Sequence, residues 1–349
     1  MLTLKKVATL LGLTLVAVIS YLLINSGSDQ KSITVISDRS DFHLEPIFDS
    51  FYELTGIEIN PVFVDQGTLP VRFSSNADRA DVVVTTDISY LAQANNEGLI
   101  ADLQHSDYKG VPDSFVMGGG RYVATSYRGR AIVYNTSVID PNSLSGYEDL
   151  ASEEFRGRVC IRPFTHVYNI TLASEMIADK GLEWTKNWVD SVKNNLAVEP
   201  NGNDRNQAKL VSEGVCDIAL MNTYYYGLLQ TNNDQRGIAA NTQIFFPNQS
   251  SDGTYAIFSG AAIAERSDQK DDAQLFIDYL LGRVGQKFIS DTTFEYPVNS
   301  NVDISVVAKS FGEGQNGIEE GRAIFNFVDV EEIMSHRDEA AEMMAVAGS

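Results

Sequence analysis

Apolar residues recur along this chain at two spacings that alternate. Short apolar runs of strand character are separated by stretches in which apolar residues return every third or fourth position, the mark of a helix packed on one face. Ile33–Ser37 is a short apolar strand, Leu44–Leu54 has helical spacing and stops at Gly56, and Ile57–Val64 is rich in β-formers. Gly67–Asn76 reads as a helix with Pro70 in its first turn, Ala80–Thr85 as a buried strand, and Ser89–Asn96 as a helix stopped at Gly98, with Asp87 placed to cap it. This strand–helix order predicts a parallel sheet with helices on its faces.

Two β-rich stretches follow, Arg121–Tyr127 and Ala131–Asn135, and then a second alternation. It runs through a strand at Gly157–Ile161, helices near Tyr168–Asp179 and Leu182–Asn194, a strand at Leu196–Glu199, a helix near Asn206–Gly214 and a strand at Cys216–Met221. Extended stretches at Gln243–Pro247 and Gly253–Ala264 lead to helices at Ala273–Leu281, Val284–Asp291 and Glu331–Ala345. Two α/β units joined by two extended crossings predict a two-lobed clamshell. The boundaries expected are 31–127 with 249–300 for the first lobe and 128–248 with 301–349 for the second. Ligands of open α/β sheets bind beyond the carboxyl ends of the strands, so the cleft between lobes is the expected site and the crossings are its hinges.

Residues 1–30 break the pattern. Lys5 and Lys6 precede an unbroken apolar run, residues 7–24, followed by small polar residues. A basic start, an apolar stretch and small residues are the parts of a secretory leader. The run is also about long enough to stay in the membrane as an uncleaved anchor. Both readings place the body outside the cytoplasm, in the periplasm.

The length, 349 residues, suits about two domains, and 44% hydrophobic residues suffice for sizeable cores. The balance of 47 acidic against 26 basic side chains, net −21, argues against nucleic acid and anionic lipid as partners, since both need clustered Lys and Arg. By itself the acidic excess favours cations only mildly, because such a surplus commonly serves solubility. Cys160 and Cys216 open two apparent strands. Export permits a disulfide, but bridges between neighbouring strands of one sheet strain its geometry, so two buried thiols are the expectation. The four histidines, His43, His105, His166 and His336, have no matching Ser or Cys nucleophile motif, and no paired carboxylates stand out. An enzyme is therefore not expected.

The residues just after each strand carry the candidate chemistry. Asp38-Arg39-Ser40-Asp41-Phe42-His43 follows the first strand, Thr86-Asp87 the third, Pro163 through Asn169 the strand at Gly157–Ile161, and Asn222-Thr223-Tyr224-Tyr225-Tyr226-Gly227 the strand at Cys216–Met221. Three consecutive tyrosines on a strand would alternate faces, whereas at a strand-to-helix turn two neighbours can both point into a cleft. Phenol is a poor ligand while protonated, but a trivalent hard cation expels the proton, and three phenolates neutralise one Fe³⁺. Three readings stand side by side: half-buried packing, a stacking wall for an organic cation, and metal ligation. Arg39, Arg128 and Arg130 alternatively suit a carboxylate or phosphate ligand.

Taken together, the stretches ADVVVTTD (80–87), GRAIVYNTS (129–137), FRGRVCIRP (155–163), VYN (167–169), EPNGND (199–204), EGVCDIALMNTYYYG (213–227), FFPNQ (245–249), GTYAIFSGAAIA (253–264) and EYPV (295–298) make the chain resemble the periplasmic ferric-iron-binding proteins, the substrate-binding subunits of iron(III) ABC transporters. The Asn-Thr-Tyr-Tyr block, with Gly-Asn-Asp before it and Phe-Pro-Asn-Gln after it, carries most of the resemblance. It implies a type II periplasmic binding protein of two Rossmann-like lobes. Such a protein holds Fe³⁺ as its bound ligand, works as a monomer and delivers the ion to an inner-membrane ABC permease. Tyr224 and Tyr225 fall on the family's tyrosine pair and Tyr168 on its third second-lobe tyrosine, while Tyr226 has no ligand counterpart. The first lobe departs: Ser40 stands at the family's His position and Asp41 at its Tyr position. Asp41 keeps an anionic oxygen there, His43 is an off-register substitute, and Asp87 lies near the Glu ligand of another branch. Arg39, Arg128 and Arg130 take supporting places. The alternative is a receptor for an organic solute such as a polyamine, thiamine or a phosphonate.

Overall fold

The computed structural model describes residues 31–104 and 107–349. The expected leader or anchor, and His105, lie outside the described residues. The chain opens with β1 (Ser32–Ser37), α1 (Asp41–Thr55), β2 (Glu58–Phe63), α2 (Leu69–Ser75), β3 (Val82–Thr85) and α3 (Ser89–Asn96). β1 lies parallel to both β2 and β3, as the alternation predicts. α1 buries Leu44, Ile47, Phe48 and Phe51 on one face and ends where Gly56, at φ 71°, returns its N–H to the Tyr52 carbonyl. A side chain is disfavoured in that left-handed conformation, hence glycine.

After β4 (Val116–Met117) the two β-rich stretches fuse into one strand, β5 (Tyr122–Asn135). The basic Arg128-Gly129-Arg130 step that separates them in sequence does not interrupt it. Both arginines are fully buried against carboxylates, and the Gly129 N–H donates to Thr223 Oγ1 at 3.2 Å.

The second lobe contains α4 (Glu148–Ala151), β6 (Val159–Cys160), α5 (Val167–Lys180), α6 (Leu182–Asn194), α7 (Asp204–Ser212), β7 (Ile218–Asn222), α8 (Thr223–Thr231), α9 (Arg236–Ala240) and β8 (Thr242–Phe245). β7 runs parallel to β6, and both β7 and β8 pair antiparallel with the second half of β5. The strand expected at Leu196–Glu199 is reduced to a single bridge between Leu196 and Val159. The chain turns away at Pro200, which has no N–H for a ladder, and enters the Asn203 capping box of α7.

Cys160 and Cys216 are bonded, with Cα atoms 5.9 Å apart, which corrects the expectation of two thiols. The register explains it: Cys160 faces Ala219, so Cys216 lies in the turn before β7 and the bridge does not join directly opposed strand residues. The Cα separation falls in the ordinary disulfide range.

β9 (Thr254–Ile263) returns the chain to the first lobe, pairing antiparallel with β3 and with the first half of β5. α10 (Lys270–Leu281), α11 (Arg283–Thr293) and β10 (Tyr296–Pro297) follow. The chain then crosses again through β11 (Phe325–Asn326), which lies parallel to the start of β9, into α12 (Val330–Ser335) and α13 (Arg337–Ala347). The single C-terminal helix read from sequence is thus broken at His336. Three apolar cores result. One gathers residues from β1 through the first part of β5 with β9, α10 and α11, while the other two pack either face of the second sheet. α12 contributes Val330 to the first-lobe core, while α13 contributes Ala340, Met344 and Ala347 to the second. The C-terminal segment therefore ties the lobes together beside the two long strands.

The Cys160–Cys216 bridge joins β6 to the turn that enters β7, the two strands that lead towards the tyrosine-bearing helices, and spans 56 residues of sequence. In the chain-entropy account, losing such a link costs about 4 kcal/mol. Reduction is expected to lower the thermal unfolding midpoint by several degrees. Finding two free thiols in the denatured, unreduced protein would refute the pairing.

Candidate metal centre

β7 ends at Asn222 and α8 begins at Thr223, so Tyr224 and Tyr225 occupy the first turn of a helix at the carboxyl end of a strand. Neighbours on a helix lie about 100° apart, close enough for both to face one cleft, whereas a residue two positions on faces away. The rings of Tyr224 and Tyr225 are 4.1 Å apart between centroids. Tyr226 points the other way and donates to the Thr242 carbonyl at 2.7 Å inside the core. Tyr168 stands in the first turn of α5, which His166 caps by accepting the Tyr168 N–H at Nδ1. Its hydroxyl lies 3.5 Å from that of Tyr224. Three phenols from two helices thus converge: Tyr168 and Tyr224 are buried and Tyr225 is half-buried.

Two carboxylates organise the arginines around them. Asp204, at the start of α7, is fully buried. It accepts from Arg130 at 2.7 Å, from Arg162 at 3.0 Å and from the Asn222 N–H at 2.8 Å. Arg130 also donates to Asn169 and Asn222. Glu295, after α11, takes an ion pair from Arg39 at 2.9 Å and a longer one from Arg128 at 3.7 Å, and Ser126 also donates to it. Arg128 reaches Ser259 and the Thr86 carbonyl. The guanidinium groups of Arg162 and Arg128 lie 5.1 and 5.5 Å from the Tyr168 ring centroid, within cation–π range.

These surroundings set the protonation states. Burial raises Tyr224 well above an ordinary phenol, the adjoining Tyr168 and Tyr225 add to it, and Arg128 opposes. Burial likewise raises Tyr225, with Tyr168 and Asp204 adding. Both are phenols at neutral pH until a bound cation displaces their protons. Burial would raise Glu295, but Arg39 and Arg128 outweigh it and hold the carboxyl at about 2. Burial is outweighed in the same way at Asp204, which Arg130 and Arg162 pull below the usual range. Burial, then Arg162, lowers His166 to about 4.

The first-lobe residues fall differently. Asp41 sits on the exposed first turn of α1, where its carboxylate accepts the Phe42 N–H at 2.8 Å. Among the described residues it takes no part in the buried network around the tyrosines. His43 is buried against Phe42 with Nε2 unpartnered, and burial and Arg39 lower it to about 4. Asp87 accepts the Ser89 N–H and hydroxyl at the start of α3, as the capping expectation requires, and also faces the second lobe. Arg39, Arg128 and Arg130 are all committed to carboxylates rather than open to an anion. Among the described residues no group of three or more His, Cys, Asp or Glu side chains could hold a metal ion. Sequence reasoning assigned no role to Asp204, Glu295 or Arg162. Gly-Asn-Asp, Glu-Tyr-Pro-Val and Arg-Pro held the signal, as charged residues inside otherwise apolar or turn-forming blocks.

Glu175, two turns along α5 from Tyr168, is fully buried with both carboxyl oxygens unpartnered. Burial pushes it well above its ordinary 4.5, Asp87 adds, and Arg128 and Arg130 oppose. A carboxyl raised on folding binds more protons in the native state. Stability then falls as pH rises from the unfolded value towards the folded one, by at most about 1.4 kcal/mol per unit. Glu175→Gln removes that loss. Its urea midpoint relative to the parent is expected to climb between pH 4.5 and 7, and a pH-independent difference would contradict the assignment.

The family model for bacterial extracellular solute-binding proteins matches residues 77–316. Iron uptake protein A1 of Synechocystis is 33% identical over 290 residues, covering 82% of this chain and 81% of that protein. Among solved structures, a ferric binding protein from Campylobacter jejuni superposes with a TM-score of 0.82 at 31% identity, covering 90% of this chain and 99% of its own. A Trichodesmium protein solved with iron and citrate gives 0.82 at 29% identity, covering 91% and 99%.

Proposed function

The chain belongs to the bacterial extracellular solute-binding proteins, and from that premise we propose that it captures ferric iron between its lobes through tyrosinate oxygens and delivers it to an inner-membrane ABC permease. The observation that carries this reading is the convergence of Tyr168, Tyr224 and Tyr225, with hydroxyls of the first two 3.5 Å apart. The names of its relatives, an iron uptake protein and a ferric binding protein, support it. The ligands are the three phenolates, with Asp41, in the first turn of α1, standing at the family's first-lobe tyrosine position. The lobes divide at 31–127 with 249–300 and 128–248 with 301–349, and residues 7–24 serve as export signal or inner-membrane anchor. The protein acts as a monomeric carrier rather than a catalyst.

Iron binding displaces phenol protons, so affinity falls as pH falls and the phenolates reprotonate. Adding a ferric chelate is expected to give a visible tyrosinate charge-transfer band that acid bleaches as iron is released. Tyr225→Phe should remove most of the band while Tyr226→Phe leaves it intact. Equal effects would misplace the ligand set. A colourless protein that retains no iron at neutral pH, yet binds a polyamine or thiamine by calorimetry, would replace iron with an organic solute.

A further inference from the structure

Asp87 lies near a ligand position of related sites, yet its carboxylate is already committed. One oxygen accepts from its own helix, from the Ser89 N–H at 3.1 Å and the Ser89 hydroxyl at 2.7 Å. The other faces the second lobe, where it accepts from Thr171 Oγ1 at 3.2 Å and pairs with Arg337 at 3.4 Å. The three residues belong to different parts of the fold. Asp87 follows β3 in the first lobe. Thr171 is on α5, one turn beyond Tyr168, and so on the same helix face. Arg337 opens α13, whose apolar residues sit in the second-lobe core. Arg337 also donates to the Ser89 hydroxyl at 2.7 Å and lies over the Tyr90 ring, 5.4 Å from its centroid. Thr171 and Asp87 are almost completely buried, so water is largely excluded from this junction.

We propose that Asp87, Thr171 and Arg337 form the latch that holds the lobes closed and thereby sets the rate of iron release without touching the ion. The proposal rests on the iron-binding reading. Asp87 keeps one oxygen for its own helix and offers the other to the opposite lobe. Separating the lobes breaks the Thr171 and Arg337 contacts together, because both donors ride on helices packed in the second lobe. Closing the lobes brings Thr171 to Asp87 and carries Tyr168, three residues earlier on the same helix, together with Tyr224 and Tyr225 up against the first lobe.

Thr171→Val removes the hydroxyl at nearly constant volume, and Thr171→Ser restores it. In the iron-loaded protein, Thr171→Val is expected to keep the wavelength of the tyrosinate band while EDTA strips the iron about tenfold faster, the scale of one hydrogen bond to a charged group. Arg337→Gln should act in the same direction, and Thr171→Ser should match the parent. An unchanged stripping rate in Thr171→Val with the band intact would overturn the latch. A parent protein with no band defeats the iron reading instead. The latch then rests on small-angle scattering of the metal-free protein: an expanded Thr171→Val beside an unexpanded Thr171→Ser supports it, and equal radii of gyration refute it.

Discussion

A guanidinium cannot lie dry without a counter-charge, and this fold buries four of them where its lobes meet. Arg39, Arg128, Arg130 and Arg162 are all at most 6% exposed. Two carboxylates hold them, Glu295 on the first-lobe side and Asp204 on the second. Removing one partner of such a pair leaves an uncompensated buried charge, at a cost of about 3–5 kcal/mol. The arrangement therefore fixes where β5 runs, since Arg128 and Arg130 flank the residue at which that strand passes from one lobe to the other. It also fixes the helices that carry the tyrosines. Asp204 accepts the N–H of Asn222, the last residue before α8, and Arg130 holds Asn169 beside Tyr168. The phenols converge because the charges behind them leave the two helix starts little freedom.

Much of the fold was legible because its elements are local patterns with local stops. Ser89–Asn96 and Leu182–Asn194 have the bounds read from spacing, since each is an amphipathic run ended by its own chemistry. The errors come where long-range pairing overrides local pattern. The two β-rich stretches on either side of Arg128-Gly129-Arg130 read as separate, but distant carboxylates make that basic step the middle of one strand. Leu196–Glu199 looks like a strand, but one neighbour and Pro200 allow it a single bridge. Local pattern puts both cysteines at the start of strands, but Cys216 belongs to the turn before β7, which lets it reach Cys160. At the site, the strand-to-helix turn made the Tyr224–Tyr225 pair readable, with Tyr226 on the opposite face. The partners of the arginines were not readable, because Asp204 and Glu295 come from segments 91 residues apart in sequence and meet the cluster only in the folded chain.

The global and local charges of the protein have opposite signs. The whole chain carries a net −21 and draws cations towards it over distances set by salt screening. Around the tyrosines, however, four guanidiniums face Glu295, Asp204 and, beside Arg39, Asp38, so that positive charges outnumber negative ones. The neighbouring Asp87–Arg337 pair is balanced and leaves that surplus in place. A bare cation arriving there meets repulsion, and burial raises Tyr224 and Tyr225 above the ordinary phenol. Only an ion strong enough to expel the phenol protons creates the negative charge that makes the place hospitable. A carboxylate cage, ionised beforehand, would take any divalent ion that fits it. A phenol cage backed by arginines waits for the ion to ionise it, so hardness and charge of the cation, more than abundance, decide what stays. With the three tyrosines as the proposed ligands, selectivity and acid release have the same origin, the protons that the phenols give up and take back.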